Sequence, residues 1–281
     1  MKPVVELKRI SKNFGAFSAL RGIDFDVYPG EIHALLGDNG AGKSTLIKIL
    51  AGVHRQTEGQ ILVRGKPMKF RSPRDAADVG IGTVYQDLAL APLMTVARNF
   101  FMGRELIKGP ELLGMLDDRR MARVALEEMA KIGIELSDAK QPVGTLSGGQ
   151  RQSLAIARAI YFGANVLILD EPTSALGQKQ QLEVLKSILR VRARGDIAII
   201  FITHNEIHAQ LTADRYTFLS LGEVIGSGSK VDLNPGEIRR LMAGGAEVAD
   251  LDAELSAIVA QHSVQDAKSQ AHKRTSEATN G

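Results

Sequence analysis

Apolar positions along the chain fall into short dense runs separated by polar, glycine-rich turns, a spacing that suits strands alternating with amphipathic helices. Residues 4–10 and 23–27 read as strands, and Pro29-Gly30 turns the chain into the apolar run Ile32–Leu36. A helix follows over 44–50 and stops at Gly52. Residues 60–64 and 68–70 form a hairpin around Gly65-Lys66-Pro67. Ser72-Pro73-Arg74-Asp75 starts a helix, with Ser72 as N-cap and proline in the first turn. Residues 81–85 make another short strand, ended by Gln86. From 87 to about 162 the period turns helical, with segments over 95–102, 119–131 and 149–160, which predicts a helical insertion between strands. Strand 166–169, helix 178–192, strand 197–202 and a hairpin near 218–225 turning at Gly222 complete the alternation. The pattern predicts an α/β fold with a mainly parallel sheet and an antiparallel edge. Residues 237–242 and 248–259 read as helical, and the polar tail from 261 has almost nothing to bury and reads as disordered. No internal repeat is visible.

Composition narrows this only a little. The 281 residues are 44% apolar and 24% charged, an ordinary globular mixture sufficient for one large domain or two smaller ones. The 35 basic and 32 acidic side chains leave a net charge of +3, too even a balance to indicate nucleic acid or an anionic surface. Cysteine is absent, which excludes disulfides and thiolate metal sites. The N-terminus alternates apolar and charged residues without the apolar core of a signal peptide. No run approaches the roughly 18 apolar residues that span a bilayer. A soluble protein of a reducing compartment is expected, one that reaches a membrane only by docking on a partner.

Three stretches carry candidate chemistry. Gly37-Asp38-Asn39-Gly40-Ala41-Gly42-Lys43-Ser44, followed by Thr45, fits the phosphate-cradling pattern G-x-x-x-x-G-K-[ST] between a strand and a helix. Its glycines let successive N–H groups face a phosphate, and the helix start adds a positive dipole. Lys43 can then reach the β- and γ-phosphates, and the Ser44 hydroxyl is placed for Mg²⁺. Strand 166–171 (Val-Leu-Ile-Leu-Asp-Glu) ends in two acids at the edge where α/β sheets bind ligands. Asp170 suits Mg²⁺, directly or through water, and Glu171 suits a proton acceptor for water attacking a γ-phosphate. Leu146-Ser147-Gly148-Gly149-Gln150 opens a helix with Ser147 as N-cap and bare glycine N–H groups, a second anion-binding arrangement. His33 and His54 fit no pattern and read as structural or solvated.

Together these stretches resemble the nucleotide-binding subunit of an ABC transporter over about residues 4–245. In that resemblance residues 37–44, 166–171 and 146–150 match the Walker A, Walker B and signature motifs. It implies a P-loop ATPase domain over 1–245 with its helical subdomain at 87–162, followed by a helix and polar tail over 246–281. Gln86 then matches the glutamine that bridges Mg²⁺ or attacking water to the transporter contact. His204 matches the histidine that contacts the γ-phosphate, and Phe14 the aromatic that stacks on adenine. Phe17 is open to either a core or a stacking role. Gly177 departs from the aspartate common in the family, in a loop that meets the partner subunit.

The resemblance also implies assembly. Ser147 and Gly149 serve ATP held on a second copy, so two complete sites form in a head-to-tail dimer. Residues 59–63, 70–74, 82–88, 94–99 and 102–105 are similar to ATPases of ribose-, fructose- and xylose-type importers, although Arg98 stands where an acid is more usual. The implied role is ATP hydrolysis powering monosaccharide import on the cytoplasmic face of a bacterial inner membrane. Its partners would be integral-membrane permease subunits and, indirectly, a periplasmic sugar-binding protein, with no nucleic acid. The alternatives are another cargo, such as an amino acid or lipid, and a soluble non-transport ABC ATPase.

Overall fold

Strand β1 (Val5–Phe14) and strand β2 (Phe17–Val27) form an antiparallel ladder that turns at Gly15, whose φ of 60° suits a residue without Cβ. Both run longer than their apolar content predicts, because cross-strand pairing carries the polar stretch 11–14. β3 (Ile32–Leu36) leads into the glycine loop and α1 (Lys43–Leu50). A hairpin of β4 (Glu58–Val63) and β5 (Lys66–Met68) follows, then α2 (Pro73–Asp78) and β6 (Ile81–Val84). Ser72 precedes α2 as expected, but its hydroxyl donates to Asp75 at 3.0 Å instead of accepting from the helix.

The inserted segment holds α3 (Val96–Phe101), the small strands β7 (Ile107–Lys108) and β8 (Met115–Leu116), α4 (Asp118–Lys131) and α5 (Gly148–Tyr161). The β7–β8 hairpin is a departure from the all-helical expectation, with strands too short to show a period in sequence. β9 (Val166–Asp170), α6 (Gln178–Ala193), β10 (Ala198–Ile202) and α7 (Glu206–Thr212) return to alternation. β11 (Arg215–Ser220), β12 (Glu223–Ser229) and α8 (Pro235–Met242) end it. This computed structural model describes residues 2–109 and 114–244, and Met1–Met242 forms one compact unit. The helix predicted over 248–259 and the polar tail lie outside the described residues.

The six-stranded sheet runs β12-β11-β3-β10-β9-β6, all parallel except the antiparallel edge pair β11–β12. A second, antiparallel sheet runs β2-β1-β4-β5. Alternate side chains of the parallel strands enter two separate cores. Ile32, Ala34, Leu36, Leu167, Leu169, Ile199 and Phe201 pack with the helices α3 to α6. Leu35, Ile168, Ile200 and Ile202 pack with α1 and the antiparallel sheet. The middle strands are therefore apolar on both faces, as buried parallel strands are. Each fully buried Ile or Leu contributes roughly 1.5–3 kcal/mol, so the ends of β3, β9 and β10 are held rigidly where their loops emerge.

Candidate functional site

The glycine loop is shaped by steric demand. Gly37 sits at φ 142°, and an added Cβ would lie 2.2 Å from the Leu219 carbonyl oxygen. Gly42 sits at φ 103°, where a Cβ would meet Leu20 at 2.7 Å. No side chain caps α1 at Gly42, so the first N–H groups of the helix are left facing the loop. Lys43 is buried, and its ammonium donates to the carbonyls of Gly37 at 2.5 Å and Asp38 at 2.9 Å. Burial lowers its pKa, opposed by Glu171, Asp38 and Asp170.

A cleft of about 380 Å³ lies over this loop. Asp38, Asn39, Gly40, Ala41, Gly42, Lys43, Ser44 and Thr45 form one wall, and Asp170, Glu171 and Gln86 the other. Gln86 arrives just past β6, and Asp170 closes β9. Hydrogen-bonded neighbours β9 and β10 bring their carboxyl ends together, pairing Asp170 with Ile202. Burial raises the pKa of Asp170, the Glu171 charge adds to this, and Lys43 and Lys48 oppose it.

Glu171 has φ 49°, uncommon for a side chain with a Cβ. Its N–H donates to the Ile202 carbonyl at 3.1 Å, and its carbonyl accepts from the Ser174 N–H at 3.0 Å and hydroxyl at 2.8 Å. The carboxylate accepts from His204 Nδ1 at 2.9 Å. His204 itself is largely exposed, in the short loop between β10 and α7. The sequence reading gave Ser174 no part in this site. Its signal is a hydroxyl three residues after the acid, which closes a turn.

Two groups of expected site residues stand elsewhere. Phe17 lines the cleft and is 67% exposed, whereas Phe14 does not line it. The Phe14 ring meets His54 edge-on at 5.4 Å, with the Lys12 ammonium 4.8 Å from its centroid. Ser147, Gly148, Gly149 and Gln150 also lie outside the lining. Ser147 Oγ accepts from the Gln150 N–H at 3.1 Å while the Gln150 side chain accepts from the Ser147 N–H at 2.9 Å, a complete capping box. Gly148 and Gly149 leave no room for a side chain, since a Cβ would meet Leu176 at 2.5 Å and the Gln180 carbonyl at 3.0 Å. At Gly177 the backbone is extended and open, so the subunit itself does not require glycine there.

This is the architecture of a P-loop nucleotide-binding domain: a parallel sheet whose central strand runs through a glycine loop into a helix, with β9, on the far side of β10, delivering paired acids. The family model described as ABC transporter matches residues 20–174. A fructose import ATP-binding protein of Rhizobium meliloti is 43% identical over 251 residues, covering 88% of this chain and 96% of the relative. A ribose import ATP-binding protein of Escherichia coli O157:H7 is 42% identical over 86% of this chain, which spans about half (47%) of that relative's length. Among solved structures, the dimeric ATP-binding cassette MJ0796 bound to ADP and Pi superposes with a TM-score of 0.66 at 26% identity, covering 80% of this chain and 98% of that one. The chain belongs to the ABC transporter family, on the side of its ATP-binding subunits. Its curated relatives named here are sugar import proteins.

Proposed function

We propose that this chain hydrolyses ATP to power import of a monosaccharide through a permease. The observation that carries the catalytic part is the convergence of Lys43, Ser44, Gln86, Asp170 and Glu171 on one cleft, with His204 bonded to Glu171. The triphosphate lies along the loop, where backbone N–H groups and the helix dipole meet its charge. Lys43 exchanges its two loop carbonyls for β- and γ-phosphate oxygens. Among the described residues no three His, Cys, Asp or Glu side chains converge as a metal cage. The donors that are present, Ser44, Gln86 and Asp170, are hard oxygens that fit Mg²⁺ shared with phosphates. Bound there, Mg²⁺ would neutralise charge on the β- and γ-phosphates. Glu171 takes the proton of the attacking water, its carboxylate aimed by the His204 bond and the fixed backbone turn. Phe17, in the cleft wall, offers the aromatic lip for adenine.

The signature residues stand away from their own cleft, which supports their use on a second copy. Ser147 and Gly149 of one copy would close over ATP on the other, excluding water and adding N–H donors at the γ-phosphate.

No helix among the described residues is long and apolar enough to cross a membrane, so the membrane contact would be made through the permease. A second cavity, of about 430 Å³, opens beside Gln86 between β6 and α5, with Tyr85, Leu88 and Met102 in its walls. Leu93, 94% exposed, stands on a nearby loop. Buried Asn99 pins that loop, accepting from the Ala91 N–H at 2.8 Å and donating to the carbonyls of Ala91, Met94 and Thr95. A permease loop seated here would touch the segment that carries Gln86 into the ATP site. The subunit would then work at the cytoplasmic face of the inner membrane, supplied with sugar by a periplasmic binding protein.

The test is purification of the chain from gently solubilised native membranes, with mass spectrometry of what accompanies it. A multi-span permease is expected, whose neighbouring binding protein can be titrated with monosaccharides. Recovery only from the soluble fraction, alone or with ribosomes, would leave an ATPase and remove the importer.

A further inference from the structure

A second histidine stands one helical turn beyond His204. His208 is buried on α7, and its Nδ1 lies 3.0 Å from the hydroxyl oxygen of Thr173, which is buried as well. Thr173 is two residues past Glu171. The turn that carries the proposed base and the loop into α7 that carries His204 are therefore joined twice. The outer join is the Glu171–His204 bond, on a ring that is 66% exposed. The inner join is the Thr173–His208 bond, out of water. Burial lowers the pKa of His208 and the nearby His204 adds to this, so the ring is neutral at pH 7, and a neutral ring and a hydroxyl satisfy each other. Both ends of the inner join are fixed by further bonds. The Thr173 carbonyl accepts from Gln181 Nε2 at 3.3 Å, which also donates to the Leu176 carbonyl at 3.0 Å. The His208 N–H donates to the Asn205 cap at 3.0 Å, and the Asn205 N–H to the Thr203 hydroxyl at 3.0 Å. The His208 carbonyl accepts from the Thr212 hydroxyl at 2.7 Å. His204 lies in that loop, between Thr203 and Asn205.

We propose that His208 is a positioning residue for hydrolysis: bonded to Thr173, it holds the start of α7 at the distance from which His204 serves both Glu171 and the γ-phosphate. This rests on the ATPase reading above. The outer join cannot hold that distance by itself. A hydrogen bond open to water contributes little net stability, and His204 has to leave or share it to meet a phosphate oxygen. The inner join is screened from water and keeps its partners throughout, so the spacing of the two reacting side chains survives the exchange. Groups displaced by an ångström lose up to about 10²-fold in rate, which is why a bond that never touches substrate bears on turnover. The buried Ser153–Ser187 pair, by contrast, links α5 to α6 and neither of these segments.

The test is steady-state ATP hydrolysis by the full chain carrying Thr173→Val, which removes the hydroxyl at nearly constant shape. kcat should fall about tenfold while KM and ATP affinity stay within about twofold of wild type. Thr173→Ser keeps the hydroxyl and should restore most of the rate. His208→Asn, whose amide reaches the place of Nδ1, should do the same, whereas His208→Leu should match Thr173→Val. The deciding comparison is made in a His204→Ala background, with residual turnover followed as release of labelled phosphate. There Thr173→Val should cost less than about twofold, because the side chain it helps to place is gone. A loss that persists undiminished without His204 would overturn the proposal, and so would a wild-type kcat in Thr173→Val. A fall in melting temperature with equal losses of kcat and ATP affinity would make the pair a structural prop and overturn it too. A wild-type chain that binds ATP and releases no phosphate would instead remove the ATPase reading itself.

Discussion

Glu171 shows how a single residue is set up for the proposed reaction. Its left-handed backbone costs roughly 1–2 kcal/mol and persists because Ser174 and Ile202 hold the peptide groups on both sides. The carboxylate is thus directed by main-chain geometry as well as by His204. Glu171→Gln keeps shape and burial but cannot take a proton. It should retain ATP affinity and lose turnover by about 10²–10⁴-fold, trapping a closed dimer. Near-normal phosphate release would remove Glu171 from the base role. The aromatic lip is decided at the same scale. Stacking of a base on an aromatic ring contributes about 1–3 kcal/mol, so the ring in the cleft wall should matter more. Phe17→Ala is expected to weaken ATP binding about tenfold or more, and Phe14→Ala less. The reverse order in a nucleotide titration would return adenine to Phe14.

At the scale of elements, β3 is the strand on which the site depends, clasped between two cores. Its one polar side chain, His33, is buried against the antiparallel sheet, its ring tilted over Phe25 with centroids 4.4 Å apart. Nδ1–H donates to the Asp26 carbonyl at 2.8 Å, which leaves Nε2 to accept from the Thr217 hydroxyl at 2.8 Å. Burial, helped by the Arg215 charge and opposed by Asp26, lowers the pKa of His33 to about 4. The folded value lies below the unfolded value near 6.5, so the unfolded chain binds the extra proton first. Stability present above about pH 6.5 is therefore lost as pH falls towards 4, by about 3 kcal/mol from this residue alone. Melting temperature should fall over that window in wild type and fall less steeply in His33→Gln. Equal slopes would show that other groups carry the acid sensitivity. In sequence His33 is indistinguishable from a solvated histidine, because only the covering sheet makes it a core residue.

At the scale of the whole molecule, one glycine loop and one signature segment per chain imply two composite sites in the proposed dimer. Mixing tests this directly. Lys43→Ala loses its own phosphate site, and Ser147→Arg spoils the site of its neighbour. Each should be inactive alone. A one-to-one mixture forms heterodimers in which one site is wholly intact, so about a quarter of wild-type sites should return. No recovery on mixing, measured as phosphate release with subunit exchange confirmed, would place the signature in its own subunit's site.

The sequence alone was sufficient for whatever is local. The glycine loop, the apolar strands running into it and the Ser147 cap are written as consecutive residues, because turns, periods and caps span only a few positions. The parallel sheet with its antiparallel edge followed from the alternation of strands and helices. Tertiary structure decided what depends on distant segments meeting. It put Asp170 and Glu171 opposite Lys43, assigned alternate residues of β3 and β9 to different cores, and set Phe17 rather than Phe14 in the cleft wall. Those positions follow from packing across the two sheets, where partners more than a hundred residues apart leave no periodic trace along the chain.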